Sequence, residues 1–246
     1  MKIKAYHYLV VIVIAFFIGF TLRGLVEGDK LPISEIITGI ITLIAVYAGA
    51  SFAFKLQQEN DERDKTVKQV ASTNRAIYTL SDIWNIQKQY QEEIIKPFRE
   101  RDDAWLNMSP TLPGIHEKIK FNVESLDYLL SSGKPEVYTE LLLEEKKYRI
   151  VTSIIEERSN LIFEKVRPKI ESFGINNGDK VDQQALEKGL GSDLTNRLQN
   201  MTKAIIKNID ENIESLIKLH EKSQNYFKEI YPDEKFIKVS FNKPVK

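Results

Sequence analysis

The chain has 246 residues, of which 42% are hydrophobic, and its 35 basic residues balance its 35 acidic ones. This length accommodates a membrane region and one domain of ordinary size. Cysteine is absent, which excludes disulfides and thiolate metal sites. Five basic and three acidic residues lie in positions 1–55, so the remaining 30 and 32 leave the rest slightly acidic. Nucleic-acid-binding proteins usually carry a basic surplus, and we therefore expect no direct contact with nucleic acid.

Two nearly uncharged runs at the start of the chain each have the length of a membrane-spanning helix. They cover about residues 5–22 and 33–54, and about 20 apolar residues cross the hydrocarbon core of a bilayer. The first run lacks the small-residue cleavage pattern of a secretory signal, and a second run follows at once. The sequence therefore predicts a two-helix transmembrane hairpin over residues 1–55.

The distribution of basic residues predicts the orientation of this hairpin. Lys2 and Lys4 precede the first run, and Lys55, Arg63 and Lys65 follow the second. Basic residues accumulate on the cytoplasmic side of a membrane, so we expect both termini to be cytoplasmic.

The second run also carries a narrow stripe of small, hydroxyl and acidic residues. On a helix, these positions share one face: Glu35, Thr38, Thr42, Ala45, Gly49 and Ala53. Small residues at four-residue spacing allow close helix approach in lipid, and threonines can hydrogen-bond across the contact. The stripe is consistent with packing on the first span. It is equally consistent with self-association of several copies around an axis, with Glu35 near the outer mouth of a pore.

A long helix is predicted to follow as a stalk over residues 56–96. Val70, Ile77, Leu80 and Trp84 form one apolar stripe, and neither proline nor glycine interrupts the segment before Pro97.

A proline-rich loop is then expected over residues 97–115. Trp105, Leu106 and Met108 make it unusually apolar. These residues are expected either to cap the end of a helical core or to dock a partner protein.

Residues 116–232 are predicted to form a cytosolic antiparallel helical bundle. Its helices are expected at about 116–130, 136–173 and 181–230, the last interrupted near Gly189 and Gly191. The segment 233–246 alternates like a strand, but the chain offers it no partner strand, and we treat it as a tail. The predicted fold class is all-α: a transmembrane hairpin, a stalk helix and a bundle of about four helices.

Arg158 occupies a position on the apolar stripe of the second bundle helix, between Ile155 and Ile162. A charge at a core position is costly unless it is paired. Either the aliphatic part of the side chain packs while the guanidinium reaches an acid on a neighbouring helix, or the guanidinium contacts a ligand or partner inside the bundle.

No motif in the sequence indicates catalysis. The three histidines, His7, His116 and His220, lie far apart without a second ligand at metal spacing, and no glycine-rich phosphate cradle is present. We therefore expect neither an enzyme nor a bound metal or cofactor.

The order of two N-terminal spans and a helical cytosolic domain resembles the two-transmembrane effectors of bacterial anti-phage systems, including those encoded beside some retron reverse transcriptases. The stretches PFRERDDAWLNMSPTLP and FNVESLDYLLSSGKPEVYTELLLEEKKYRIVTSIIEERSNL, residues 97–161, also resemble a motif pair of bacterial membrane proteins. The retron resemblance implies an inactive complex with a reverse transcriptase and its RNA-linked DNA. Phage sensing would release or rearrange this complex, with damage to the bacterial inner membrane and cell death.

Two functions are therefore expected from the sequence. The first is an inner-membrane effector whose spans form a homo-oligomer and permeabilise the lipid bilayer, restrained by a cytosolic partner. The second is a non-toxic membrane-anchored scaffold or adaptor, in which the hairpin only tethers the helical domain.

Overall fold

The structure is a computed structural model that describes residues 33–111, 119–175, 182–239 and 241. Within these ranges every regular element is a helix and no residue is in a strand, which confirms the all-α prediction. The predicted first span, at about residues 5–22, lies outside the described residues. The transmembrane hairpin therefore stays a prediction.

The longest element, α1 (Ile33–Tyr90), is one uninterrupted helix of 58 residues. It leads into a π-helical turn (Gln91–Ile95) and a 3-10 turn (Lys96–Phe98). Pro97 lies in the 3-10 turn, and its ring nitrogen cannot donate to an earlier carbonyl, which accounts for the end of the regular helix. The predicted continuity between the second apolar run and the segment that follows it is confirmed.

The remaining helices agree with the predicted positions, with two differences: a one-turn helix lies in the predicted proline-rich loop 97–115, and the helix predicted over 116–130 is shorter. The elements in chain order are α2 (Ala104–Asn107), a 3-10 helix (Glu124–Ser131), α3 (Pro135–Leu161), a π-helical turn (Ile162–Val166), α4 (Arg167–Ser172), α5 (Gln183–Leu190) and α6 (Ser192–Ile230). The helix predicted over 116–130 is shorter, because residues 119–123 are not helical. Residues 112–118 lie outside the described ranges.

The chain divides into two compact units, one ending at Asp64 and one, the helical unit, covering Lys65–Lys246. In the first unit the described side chains of α1 are exposed, apart from a few of intermediate burial. In the helical unit α1 buries one face, because Thr73, Ile77 and Leu80 are at most 1% exposed. The predicted stalk 56–96 is thus helical, and from Val70 onward it is a packed element of the core.

Two hydrophobic clusters form the core of the helical unit. The larger one joins residues of α1, the 3-10 helix, α3 and α6, including Ile77, Leu80, Leu129, Leu141, Ile155, Ile209, Leu216 and Phe227. The smaller one contains Trp105, Leu161, Ile162, Val166, Leu186, Leu190 and Leu198. Burial of these side chains is the main stabilising contribution to the unit.

Helices α3 and α6 run antiparallel. Glu157 near the end of α3 pairs with Arg197 near the start of α6, while Glu140 near the start of α3 pairs with Lys222 further along α6. The end of α3 therefore lies beside the start of α6, and the start of α3 lies beside a later part of α6.

A glycine separates α5 from α6, as the sequence predicted. Gly191 has a φ of +90°, in the left-handed region that residues with a side chain rarely adopt. At the other end of α5, the Asp182 carboxylate accepts a hydrogen bond of 3.3 Å from the Ala185 N–H and caps the helix.

The C-terminal segment, Tyr231–Val239 with Phe241, has no regular structure but packs against the core. The Ile237 N–H donates to Asn74 Oδ1 of α1 at 2.9 Å. The Phe241 ring lies edge-on to Trp84 of α1 and His220 of α6, with ring centroids 4.9 and 4.4 Å apart. The predicted tail therefore covers part of the core.

Candidate functional site

The apolar beginning of α1 is the first candidate site. Among the described residues, one helix is long and apolar enough to cross a membrane, and none of its most apolar 18-residue window is buried. Ile41, Ile44 and Phe52 are 61–64% exposed. A continuous row of exposed apolar side chains marks a membrane or protein interaction site.

The predicted stripe is exposed where the structure describes it. Thr38, Thr42, Ala45, Gly49 and Ala53 are all exposed side chains of α1. Glu35 lies within α1, but its side chain is outside the described residues. A Cβ built at Gly49 has no neighbour within 4 Å. Among the residues that the structure describes, none covers this stripe, and the partner that covers it stays a prediction.

One polar group of the stripe is already engaged within α1. The Thr42 hydroxyl donates to the Thr38 carbonyl oxygen, one helical turn earlier, at 2.8 Å. A threonine that bonds back to its own helix retains acceptor capacity but has no proton to donate across a helix contact. Thr42 is therefore poorly suited to donate across a helix contact, and close packing through Ala45, Gly49 and Ala53 stays a prediction.

The second candidate site joins residues that the sequence placed far apart. Arg158 of α3 is 1% exposed. Its guanidinium was expected either to reach an acid on a neighbouring helix or to contact a ligand or partner inside the bundle. Its Nη2 donates to the carbonyl oxygens of Met108 at 2.8 Å and Trp105 at 3.1 Å, and its Nε donates to Thr202 Oγ1 at 2.9 Å. The structure corrects the first alternative, because these hydrogen-bond acceptors are neutral; a ligand or partner contact of Arg158 stays a prediction.

The geometry explains why neutral acceptors suffice. The Trp105 and Met108 carbonyls lie at the end of the one-turn helix α2, where carbonyls have no further helical partner. The planar guanidinium reaches two of these oxygens and a hydroxyl at once. Arg158 thus caps α2 and fixes the loop that contains it.

The next residue of α3 holds the same loop. Ser159 Oγ accepts a hydrogen bond of 3.1 Å from the Thr111 N–H and donates to the Ile155 carbonyl at 2.8 Å. Arg158 and Ser159 together attach the loop over residues 105–111 to α3. The sequence analysis did not identify Ser159 or Thr202, since isolated hydroxyls carry no recognisable pattern.

Burial shifts the ionisation of two groups here. It lowers the pKa of Arg158 to about 10, so the guanidinium stays protonated at neutral pH. Burial raises the pKa of Tyr90, at the end of α1, to about 12, and the positive charge of Arg158 opposes that rise. Arg158 is thus a buried cation beside a neutral phenol.

The predicted docking residues of the loop are in the core. Trp105 is 3% exposed and Met108 is fully buried, while Leu106 is partly buried against the smaller cluster. Met108 belongs to the larger cluster and Trp105 to the smaller one. The loop therefore connects the two clusters, and any partner contact of these side chains stays a prediction.

Neither candidate site shows the residue groups of a metal centre. In the described ranges, no group of three or more histidine, aspartate or glutamate side chains is arranged to hold a metal ion.

Comparison of the chain with protein-family models, curated proteins and solved structures gives no match.

Proposed function

We propose that this protein is a bacterial inner-membrane effector of anti-phage defence that self-associates through the beginning of α1 and permeabilises the membrane. Residues 1–55 form a two-helix hairpin with both termini in the cytoplasm. The helical unit is an antiparallel bundle that senses infection and restrains the pore through a cytosolic partner. In the retron form of this proposal, the partner is a reverse transcriptase with its RNA-linked DNA.

One observation supports this proposal most: the stripe of small residues on α1 is exposed within an apolar helix. Helices associate in lipid by close packing, since lipid tails are as apolar as leucine and provide no hydrophobic driving force. An exposed glycine flanked by alanines four residues away is suited to such packing, and the surrounding isoleucines suit acyl chains.

A leucine at Gly49 tests the stripe. Because no atom lies within 4 Å of a Cβ built there, the described part of the chain has room for the substitution. The matched control is Ala48→Leu, which adds a leucine at the same depth about 100° around the helix. After induced expression in bacteria, propidium iodide entry and membrane potential report permeabilisation.

We expect rapid dye entry with the wild type and with Ala48→Leu, and none with Gly49→Leu. Ala45→Leu is expected to act like Gly49→Leu, since it lies on the same stripe. Full permeabilisation by Gly49→Leu at equal abundance would contradict self-association through this face.

The second candidate function is a non-toxic membrane-anchored scaffold. The internal hydrogen bond of Thr42 favours it, because a stripe with fewer free donors is less suited to line a pore than to pack. A scaffold tolerates replacement of residues 1–54 by an unrelated transmembrane hairpin, whereas the effector loses its activity. An intact membrane with wild-type protein, together with retained function after the exchange, would establish the scaffold.

A further inference from the structure

A groove of about 440 Å³ opens on the helical unit, away from the Arg158 site. Three parts of the unit line it: α1, the segment around the start of the 3-10 helix, and the C-terminal segment. The lining residues are Ser72, Asn74, Arg75, Ala76, Tyr78, Thr79, Lys120, Phe121, Asn122, Ser125, Leu126 and Ile237. Small-molecule sites in proteins typically measure about 300–1,000 Å³. The groove is therefore large enough for a metabolite-sized ligand.

The charged residues of the groove are both basic. Arg75 and Lys120 line it, and none of its lining residues is an acid. Within the described residues, neither side chain forms an ion pair. After Lys55 the chain has 30 basic and 32 acidic residues, so a groove that two cations and no carboxylate of the described residues line is locally basic and favours a negatively charged ligand.

Two amides add oriented donors to these cations. Asn74 Oδ1 accepts from the Ile237 N–H at 2.9 Å, and Asn122 Oδ1 accepts from the Ser125 N–H at 3.3 Å. A backbone N–H only donates, so each amide must turn its oxygen to the backbone. Within the described ranges no hydrogen bond occupies either Nδ2 group, so each can donate to a ligand in the groove.

The inner part of the groove is apolar. Phe121 and Leu126 are 5% and 2% exposed, and Tyr78 on the rim is 64% exposed. The Phe121 N–H donates to Glu145 Oε2 at 2.9 Å, which fixes the backbone at this position. The groove thus combines hydrogen-bond donors with an apolar surface.

We propose that this groove binds a small organic phosphate. Arg75, Lys120 and the amide donors of Asn74 and Asn122 hold the phosphate oxygens, and the apolar body of the ligand lies against Phe121. Charge-assisted hydrogen bonds from a guanidinium and an ammonium are the strongest that side chains offer to a phosphate. The site is independent of the proposed membrane activity.

Binding to the purified full-length chain in detergent tests the proposal by calorimetry. The probes separate the need for a phosphate from the need for an apolar body. AMP carries a phosphate and a flat ring, adenosine lacks the phosphate, and inorganic phosphate lacks the ring. Dihexanoyl phosphatidylglycerol presents a phosphate with acyl chains. We expect AMP or the short-chain lipid to bind at least about tenfold more tightly than adenosine and inorganic phosphate. Whichever of the two binds more tightly identifies a free metabolite or a lipid headgroup as the source.

Three variants locate the binding. Arg75→Ala and Lys120→Ala should each weaken it about tenfold or more, since each removes a charged donor. Asn74→Asp keeps an oxygen for the Ile237 N–H but replaces the donor by a negative charge, and it should abolish binding. Lys207→Ala, on the exposed surface of α6, is the control and should change nothing.

Tryptophan fluorescence verifies that each variant is folded. Absence of binding by AMP and by the lipid at millimolar concentration would overturn the proposal. So would equal binding by inorganic phosphate, or binding that survives Asn74→Asp.

Discussion

The two parts of α1 use the same residue types in opposite environments. Ile41, near the beginning of the helix, is 61% exposed, whereas Ile77, ten turns later, is fully buried. Around Ile41 apolar side chains occupy most of the circumference, while around Ile77 they form one stripe between polar faces. The first pattern is typical of a helix whose solvent is lipid, and the second of a helix that contributes one face to a protein core.

Hydropathy and periodicity carry different information about the surroundings of a helix. Both parts contain isoleucine on their apolar faces, so the presence of isoleucine alone does not separate them. The regular return of polar residues does, because a helix in water must present polar side chains opposite its buried face. An exposed apolar circumference, as in the first part, is typical of a membrane or protein interaction site.

The largest expected effect comes from the same substitution in the two parts. Ile77→Ala removes a fully buried side chain from the larger cluster and should lower the free energy of unfolding of the helical unit by about 4 kcal/mol. Ile41→Ala should change it by less than about 0.5 kcal/mol. Urea unfolding of the full-length chain in detergent can be followed by tryptophan fluorescence. Both tryptophans, Trp84 and Trp105, are buried in the helical unit and report on it alone.

An equal loss of stability with both variants would contradict the proposed difference between the two parts of α1, because it would mean that Ile41 is also a core residue. A smaller loss of stability with Ile77→Ala than with Ile41→Ala would mean that the beginning of α1, and not its later part, is packed in a core.

Arg158 tests whether buried polar contacts between α3, the α2 loop and α6 contribute comparably to the apolar contacts of the core. Arg158→Ala leaves two buried carbonyls and the Thr202 hydroxyl without their donor, at about 1–3 kcal/mol each. Relief of the buried charge offsets part of this cost. We expect a net loss of about 3 kcal/mol in the same unfolding measurement.

Arg197→Ala is the matched arginine control. Its ion pair with Glu157 lies on the surface of the helical unit, and such pairs contribute less than about 1 kcal/mol. Similar losses with the two arginine variants would show that the α2 carbonyls find other donors.

The smallest expected effect concerns His220, which contacts the Phe241 ring together with Trp84. Burial lowers the pKa of His220 below its usual 6.5, while the backbone of Val239, through a hydrogen bond, and the charge of Glu221 oppose that shift. Above pH 6.5 the histidine is neutral in both states and contributes no pH dependence. As the pH falls from 6.5 towards the lower pKa of the folded state, the unfolded chain takes up the proton first, and stability is lost.

Urea midpoints at pH 7.5, 6.5 and 5.5 measure this loss. His220→Gln removes the titration, so its midpoint should fall less between pH 6.5 and 5.5 than that of the wild type. The other two histidines are present in both proteins and cancel in the difference. Parallel pH profiles of the two proteins would show that His220 titrates alike in the folded and unfolded states.

Much of the fold could be predicted because it depends on local periodicity. The stripe from Val70 to Trp84, the long α3 and the break at Gly191 all follow from the spacing of apolar residues or from glycine. The short helix before α3 was misplaced, since a 3-10 helix of eight residues has little periodicity to detect.

The two candidate sites also differ in how far the sequence could predict them. The stripe from Thr38 to Ala53 is read directly from four-residue spacing on one helix. The Arg158 site required residues from α2, α3 and α6, which are about 50 positions apart. Two of its acceptors are backbone carbonyls, and any residue type supplies a carbonyl. No pattern of side chains could therefore reveal them.

The sequence by itself determined that this chain is helical, that α1 continues from an apolar run into an amphipathic one, and that Arg158 occupies a core position. These properties depend on side chains one or two turns apart. Tertiary structure alone decided that Arg158 bonds to carbonyls rather than to an acid, and that the C-terminal segment covers Trp84 and His220. Both outcomes depend on contacts between distant residues, whose free energy is set by packing and desolvation in three dimensions.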